Sequence, residues 1–205
     1  MNLIKLYDAE LSGNAYKVRL FLSLLKLEHE LAPVDLTAMQ SRTPEFLKIN
    51  PRGQIPVLVD GDVIVWDSQA ILVYLARRYG EEWLPLDPES MGAVMQWMAL
   101  SENELLFGLA RARATKLFGR PFNLEECQAY GRAGLDVLEQ RLTKHEWLAC
   151  SRPTIADIAC FPYVALCHQG GLSLDAFARV RAWIAHIQTI EGYIGMSGIQ
   201  GAQTT

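Results

Sequence analysis

The sequence predicts two architectures in series: a mixed α/β domain over residues 1–80 and an all-helical domain over residues 91–205, joined by a linker at 81–90. Three observations carry this reading. Strand-like and helix-like periods alternate as far as Gly80. The composition then shifts at "EEWLPLDPES", where acids crowd around two prolines. Beyond that stretch no segment shows the two-residue alternation of a strand.

The elements follow in order. "LIKLY" (3–7) alternates as a strand does. Residues 14–27 place Ala15, Val18, Leu22 and Leu25 at helical spacing. "HELAPVDL" (29–36) is a second short strand, and a short irregular or helical piece spans 43–49. "VLV" and "VIV" flank Asp60-Gly61, a strong hairpin-turn signal. Residues 68–80 form a helix with a basic last turn that stops at Gly80. The order is β-α-β, a short helix, then β-β-α. In the second half, one long helical pattern ends near Phe118, and others cover 124–142, 154–169 and 174–188. The tail "SGIQGAQTT" is expected to be disordered.

Bulk properties narrow the function. Half of the 205 residues are hydrophobic and a fifth are charged, an ordinary globular balance. The net charge of −4 argues against a nucleic-acid partner or an anionic membrane surface. The N-terminus lacks the pattern of a signal peptide, and no apolar run approaches the ~20 residues that span a bilayer. Cys127, Cys150, Cys160 and Cys167 form no C-x-x-C pair, which excludes a dithiol motif or a zinc cluster of usual spacing. Reduced thiols, no metal and a cytoplasmic location are the expectation.

Three short stretches could carry chemistry. Pro56 stands before Val57-Leu58-Val59, although proline cannot donate to a strand ladder. A trans proline would merely start an edge strand. A cis proline would turn the Ile55 backbone outward, toward an extended peptide bound by β-augmentation. Asp67-Ser68 precedes an apolar helical pattern and reads as an N-cap. The same free N–H groups and hydroxyl suit a carboxylate, with Asp67 answering an adjacent ammonium, as in an α-amino acid head group. Ser12-Gly13-Asn14 reads as a turn and cap, or as hydroxyl and amide donors that would favour a thiolate at a helix N-terminus.

The set Asn50-Pro51-x-Gly53-x-Ile55-Pro56-x-Leu58 resembles a segment of the cytosolic glutathione transferases, where the proline is cis. Ser12-x-Asn14 with Lys17-Val18 is similar to the serine-type and bacterial classes, and the likeness extends to the terminal helix, despite Glu191 where proline is usual. The resemblance implies a thioredoxin-like domain (βαβ-α-ββα), a helical bundle and a homodimer, with an electrophile pocket between the domains. It implies that the Ile55 backbone pairs with the cysteinyl unit of glutathione, that Asp67-Ser68 takes its γ-glutamyl end, and that Ser12 and Asn14 hold the thiolate. Ser41 and Arg42 become candidates for its glycine carboxylate, and Gln54 a further contact. Tyr7, a rival donor, is placed within the first strand as packing.

In the helical half, Thr154 and Asp157 stand at capping-box spacing and read as a folding signal. A stripe of Trp97, Leu100, Glu104 and Phe107, with Arg111 and Arg113 beyond, would face the cleft; Trp97, Glu104, Phe107 and Arg111 are the electrophile-site candidates. Three functions compete: conjugation of glutathione to small apolar electrophiles, glutathione-dependent disulfide reduction, and a non-enzymatic interaction module. The joint presence of Ser12-Asn14, Ile55-Pro56 and Asp67-Ser68 favours the first two.

Overall fold

The computed structural model describes residues 3–199; residues 200–205 of the tail expected to be disordered lie outside the described residues. Residues 197–199 of that tail continue in a turn instead, with the Ile199 N–H donating to the Met196 carbonyl at 3.0 Å.

The first half contains strands β1 (Ile4–Asp8), β2 (His29–Pro33), β3 (Val57–Asp60) and β4 (Val63–Trp66) in one sheet of order β2-β1-β3-β4. β1 and β2 are parallel, joined through helix α1 (Gly13–Leu24), while β3 pairs antiparallel with both β1 and β4. A 3₁₀ turn and helix α2 (Pro44–Ile49) precede β3, and α3 (Ser68–Tyr79) follows β4. Alternation along β1 sorts its side chains: Ile4 and Leu6 are buried in the main core, while Tyr7 packs edge-on against Phe46 of α2 at 5.8 Å.

Helix starts are written locally. Ser12, Thr43, Asp67, Asp87, Asn123 and Thr154 each cap a helix through a side-chain oxygen that accepts a backbone N–H of the first turn. Pro44 and Pro88 occupy first-turn positions, where a missing N–H costs nothing.

The second half holds α4 (Pro88–Leu100), a π-helical segment at Ser101–Ala110, α5 (Arg111–Phe118), α6 (Leu124–Leu142), α7 (Ile155–Ala165) and α8 (Ala178–Gln188). The stretch read as one long helix is thus interrupted by wider turns, which a stripe counted at 3.6 residues per turn cannot signal. The capping box at α7 is present, and Asp157 does more than close it. Its fully buried carboxylate also accepts the Leu148 N–H at 3.1 Å and the Trp183 indole N–H at 3.0 Å, pinning α8 and a loop to the start of α7.

One continuous core joins the two halves. α7 packs on α1 and α3, with Phe161 against Tyr16. Glu191, which stands where the resemblance expects proline, pairs with Lys26 of the first half at 2.6 Å on the surface.

Candidate active site

The sheet register brings the three stretches singled out above to one end of the sheet. Tyr7 pairs with Val57, and Val57 pairs with Trp66. The loop leaving β1, the loop entering β3 and the loop leaving β4 therefore emerge side by side. Ser12, Ile55-Pro56 and Asp67-Ser68 lie on those three loops. A small pocket there is lined by Asn14, Asn50, Arg52, Gln54, Ile55, Pro56, Trp66, Asp67 and Ser68.

The Ile55–Pro56 bond is cis. The ladder begins only at Val57, so the sheet does not engage the Ile55 backbone. The preceding loop is shaped by Asn50, which is almost wholly buried. Its amide donates to the Gln54 carbonyl at 2.7 Å and accepts the Arg52 N–H at 3.0 Å. Gly53 turns the chain at φ +58°, and a β-carbon there would lie 2.8 Å from the Arg42 guanidinium and 2.9 Å from the Ser41 carbonyl oxygen. Ser41 and Arg42 thus brace the loop from behind, Arg42 donating to the Arg52 carbonyl at 3.0 Å; they are not among the pocket-lining residues.

Asp67 adopts φ +79°, a conformation that non-glycine residues rarely take and that clusters at functional sites. One carboxylate oxygen caps α3, accepting the Gln69 N–H at 3.0 Å. The other meets Arg52 at 3.2 Å. Ser68 beside it is buried at the helix N-terminus, where the backbone N–H groups give the positive end of the helix dipole.

Ser12 is half-buried and caps α1, its oxygen accepting the Ala15 N–H at 3.2 Å. That bond uses a lone pair and leaves the hydroxyl proton to donate elsewhere. Ser12 is not itself among the lining residues; Asn14 is, and its buried side-chain oxygen has no hydrogen-bond partner among the described residues. An unpaired buried polar atom costs about 1–3 kcal/mol.

The helical half closes on this turn from the other side. Tyr163 of α7 covers Gly13, and burial pushes its phenol up to about 12. Lys17 is fully buried, reaching Ser101 at 3.3 Å and Glu102 at 3.5 Å, and burial lowers its pKa. Gln69 of α3 joins the same pair, donating to Glu102 at 2.8 Å and to Ser101 at 3.1 Å. Four electrophile-site candidates are spread more widely. Arg111 lies over the rings of Phe107 and Phe122, 4.0 and 4.8 Å from their centroids. Glu104 packs against Gly134 of α6. The half-buried Trp97 accepts a Cys160 S–H at its carbonyl.

Sequence reasoning left Arg52, Trp66, Tyr163 and the Lys17–Glu102–Gln69 group without a role. Arg52 had a signal, since it follows Pro51 inside a recognised segment. Trp66 meets Arg52 across the sheet end, and Tyr163 and the Lys17–Glu102–Gln69 group are joined by packing between halves that no local pattern encodes. A larger cavity of about 760 Å³, lined by residues such as Cys167, His168, Asp175 and Arg181, belongs to the helical half alone. Burial pushes the Cys167 thiol up to about 12, which disfavours a nucleophile there. Among the described residues no cluster of His, Cys, Asp or Glu could hold a metal ion, and no helix is long and apolar enough to cross a membrane.

Comparisons with known proteins match both halves of the chain. Residues 3–77 match the family model for the glutathione S-transferase N-terminal domain, and residues 121–186 match that for the C-terminal domain. Glutathione S-transferase 3 of Zea mays is 34% identical over 75% of this chain and 73% of its own. The disulfide-bond oxidoreductase YfcG of Escherichia coli is 30% identical over 91% of each chain. The crystal structure of a glutathione S-transferase from Pseudomonas fluorescens superposes with a TM-score of 0.90 at 32% identity, covering 96% of this chain and 100% of that one. A glutathione transferase homolog from Drosophila mojavensis with bound glutathione gives 0.83 at 25% identity, over 92% and 89%. With both family models matched in order and relatives at or above 30% identity aligned over most of their length, the chain belongs to the glutathione S-transferase family.

Proposed function

We propose that this protein binds glutathione at the Ile55-Pro56 edge and activates its thiolate for attack on small hydrophobic electrophiles. The observation that carries the reading is the pocket itself. Asn14, a backbone edge outside the ladder and the N-terminus of α3 converge there from three loops. In this reading the Ile55 backbone pairs with the cysteinyl unit, Ser68 and the α3 N–H groups take the γ-glutamyl carboxylate, and Asp67 takes the ammonium. Gln54 contacts the peptide, and Ser41 and Arg42 act on the glycine end through the loop they brace.

The Ser12 hydroxyl and the Asn14 amide donate to the sulfur. A thiol with pKa near 8.5 is mostly protonated at neutral pH, and lowering it by two units takes about 2.7 kcal/mol of preference for the anion. The thiolate then attacks carbon, a C–S bond forms, and the leaving group departs with its electron pair. The protein forms no covalent bond, and its contribution is orientation and preorganised donors. Residues 1–80 bind glutathione and residues 91–205 supply the electrophile wall, with 81–90 as the linker; Trp97, Glu104, Phe107 and Arg111 are candidates for that wall. The protein works as a cytoplasmic homodimer, a reading supported by the family and, for the homodimer, by the exposed Val63 and Ile64 of β4.

A second reading is favoured by the relative named a disulfide-bond oxidoreductase. The same thiolate would then attack a sulfur of a mixed disulfide and expel the other as thiolate. One experiment separates them: turnover of wild type, Ser12→Ala and Asn14→Ala with a chromogenic aryl halide and with a mixed disulfide, alongside calorimetric titration with glutathione. Loss of aryl-halide turnover in the variants supports conjugation, and loss confined to the disulfide assay supports reduction. Equal activity in all three proteins removes Ser12 and Asn14 from the mechanism, and absence of glutathione binding overturns both readings.

A further inference from the structure

The loop between β1 and α1 is gripped by two guanidinium groups. Arg19 of α1 pairs with Asp8 and donates to the Glu10 carbonyl at 3.0 Å and the Ala9 carbonyl at 3.4 Å. Arg113, from α5 in the other half of the chain, donates Nη1 to the Leu11 carbonyl at 2.9 Å and Nε to the Gln169 side chain at 2.6 Å. The Ser12 N–H, at the opposite edge of the same peptide plane, donates to the Ala9 carbonyl at 2.9 Å. In a trans peptide the C=O and N–H point in opposite directions, so the Leu11–Ser12 plane is held at both edges. That plane sets the direction in which the Ser12 side chain leaves the backbone.

Arg113 also brings charge. It is 4% exposed, and its Nη2 has no hydrogen-bond partner among the described residues. No carboxylate among the described residues pairs with it; it also lies over the Phe118 ring at 5.4 Å and near the Tyr163 phenol. A buried, uncompensated cation is costly, and it is tolerated best where an anion arrives.

We propose that Arg113 is the positioning residue through which the helical half sets the thiolate-binding turn, orienting the Leu11–Ser12 peptide and holding an unpaired positive charge behind it. The proposal rests on the glutathione reading and deepens it. The other charged or titratable groups on the surrounding elements are already engaged or lie outward. Asp8 pairs with Arg19, Lys17 with Glu102, and Tyr163 stays neutral with its phenol at about 12. Glu10, Lys116 and His168 are exposed, and Arg111 is stacked on Phe107.

The test uses the purified full chain as wild type, Arg113→Met, Arg113→Lys and Gln169→Leu. Calorimetry gives the glutathione affinity, thiolate absorbance against pH gives the titration midpoint of the bound thiol, and steady-state assays give kcat and KM. In Arg113→Met the midpoint is expected to rise by about one pH unit and kcat at neutral pH to fall about tenfold, with KM for glutathione within about twofold of wild type. Arg113→Lys, which keeps the charge, is expected to recover most of that shift, and Gln169→Leu, which loosens the guanidinium, to show a smaller rise. Unchanged midpoint and kcat in folded Arg113→Met overturn the proposal; should that variant not fold, an unchanged midpoint in Gln169→Leu overturns it. A wild type that binds no glutathione removes the glutathione reading and this inference together. A wild type that binds, beside variants that titrate like it, removes the inference alone.

Discussion

Tyr163 of α7 sits on Gly13 so closely that a β-carbon at position 13 would lie 2.6 Å from the ring. The contact joins the helical half to the middle residue of the Ser12-Gly13-Asn14 turn. Glycine is required there by the neighbour, because its φ does not fall in the left-handed region.

Gly13→Ala is therefore expected to destabilise the protein by about 1–3 kcal/mol through overpacking and to displace the turn. Denaturant unfolding measures the first effect. The second should appear as a tenfold or larger loss in kcat/KM, and Tyr163→Leu in the Gly13→Ala background should restore stability by making room. A Gly13→Ala protein with wild-type stability and activity would show that the ring moves aside freely.

Ser12 serves two purposes, and substitutions can separate them. Ser12→Ala loses the cap of α1, worth about 0.5–2 kcal/mol, together with the donor to sulfur. Ser12→Thr keeps a capping hydroxyl. Thermal unfolding should place Ser12→Thr near wild type and Ser12→Ala below it. The thiol donor reading further requires Ser12→Ala to lose about 10–10³-fold in kcat, on the scale of one lost oxyanion-type donor.

Gly108 of the π-helical segment meets Gly131 of α6 backbone to backbone, with a β-carbon on Gly108 falling 2.2 Å from the Gly131 nitrogen. Neither main chain can yield as a flexible side chain would. Gly108→Ala is expected to cost upward of about 3 kcal/mol, at the severe end of overpacking. Equilibrium denaturation checks this, and a cost below about 1 kcal/mol would mean that the π-helical segment repacks readily.

Lys17 gives a pH signature. Burial lowers its pKa in the folded state, so the unfolded chain binds more protons between that lowered value and 10.5. Stability from this group must therefore increase as pH rises through that window. In Lys17→Met the contribution is absent, so the stability of wild type relative to the variant should grow toward alkaline pH. Paired denaturant titrations from neutral to alkaline pH test the sign; a difference that is flat or shrinks with pH would contradict a desolvated lysine.

The sequence by itself determined the local grammar. Caps at Ser12, Asp67 and Thr154, the Asp60-Gly61 turn and the periods of the strands and helices act over a few residues, so a reader of the chain can see them. The Asn50-to-Leu58 segment was legible for the same reason, since Asn50, Gly53 and Pro56 each shape the loop at fixed spacing. Only the tertiary structure decided which side chains meet. Register places Tyr7, Val57 and Trp66 in line, and that alone gathers three loops around one pocket. Arg113 reaches Leu11 across 102 positions of chain, and Lys17 reaches Ser101 across 84. Such pairs are fixed by how two halves share one core, where close packing over many residues selects a single fit that no short window of sequence contains.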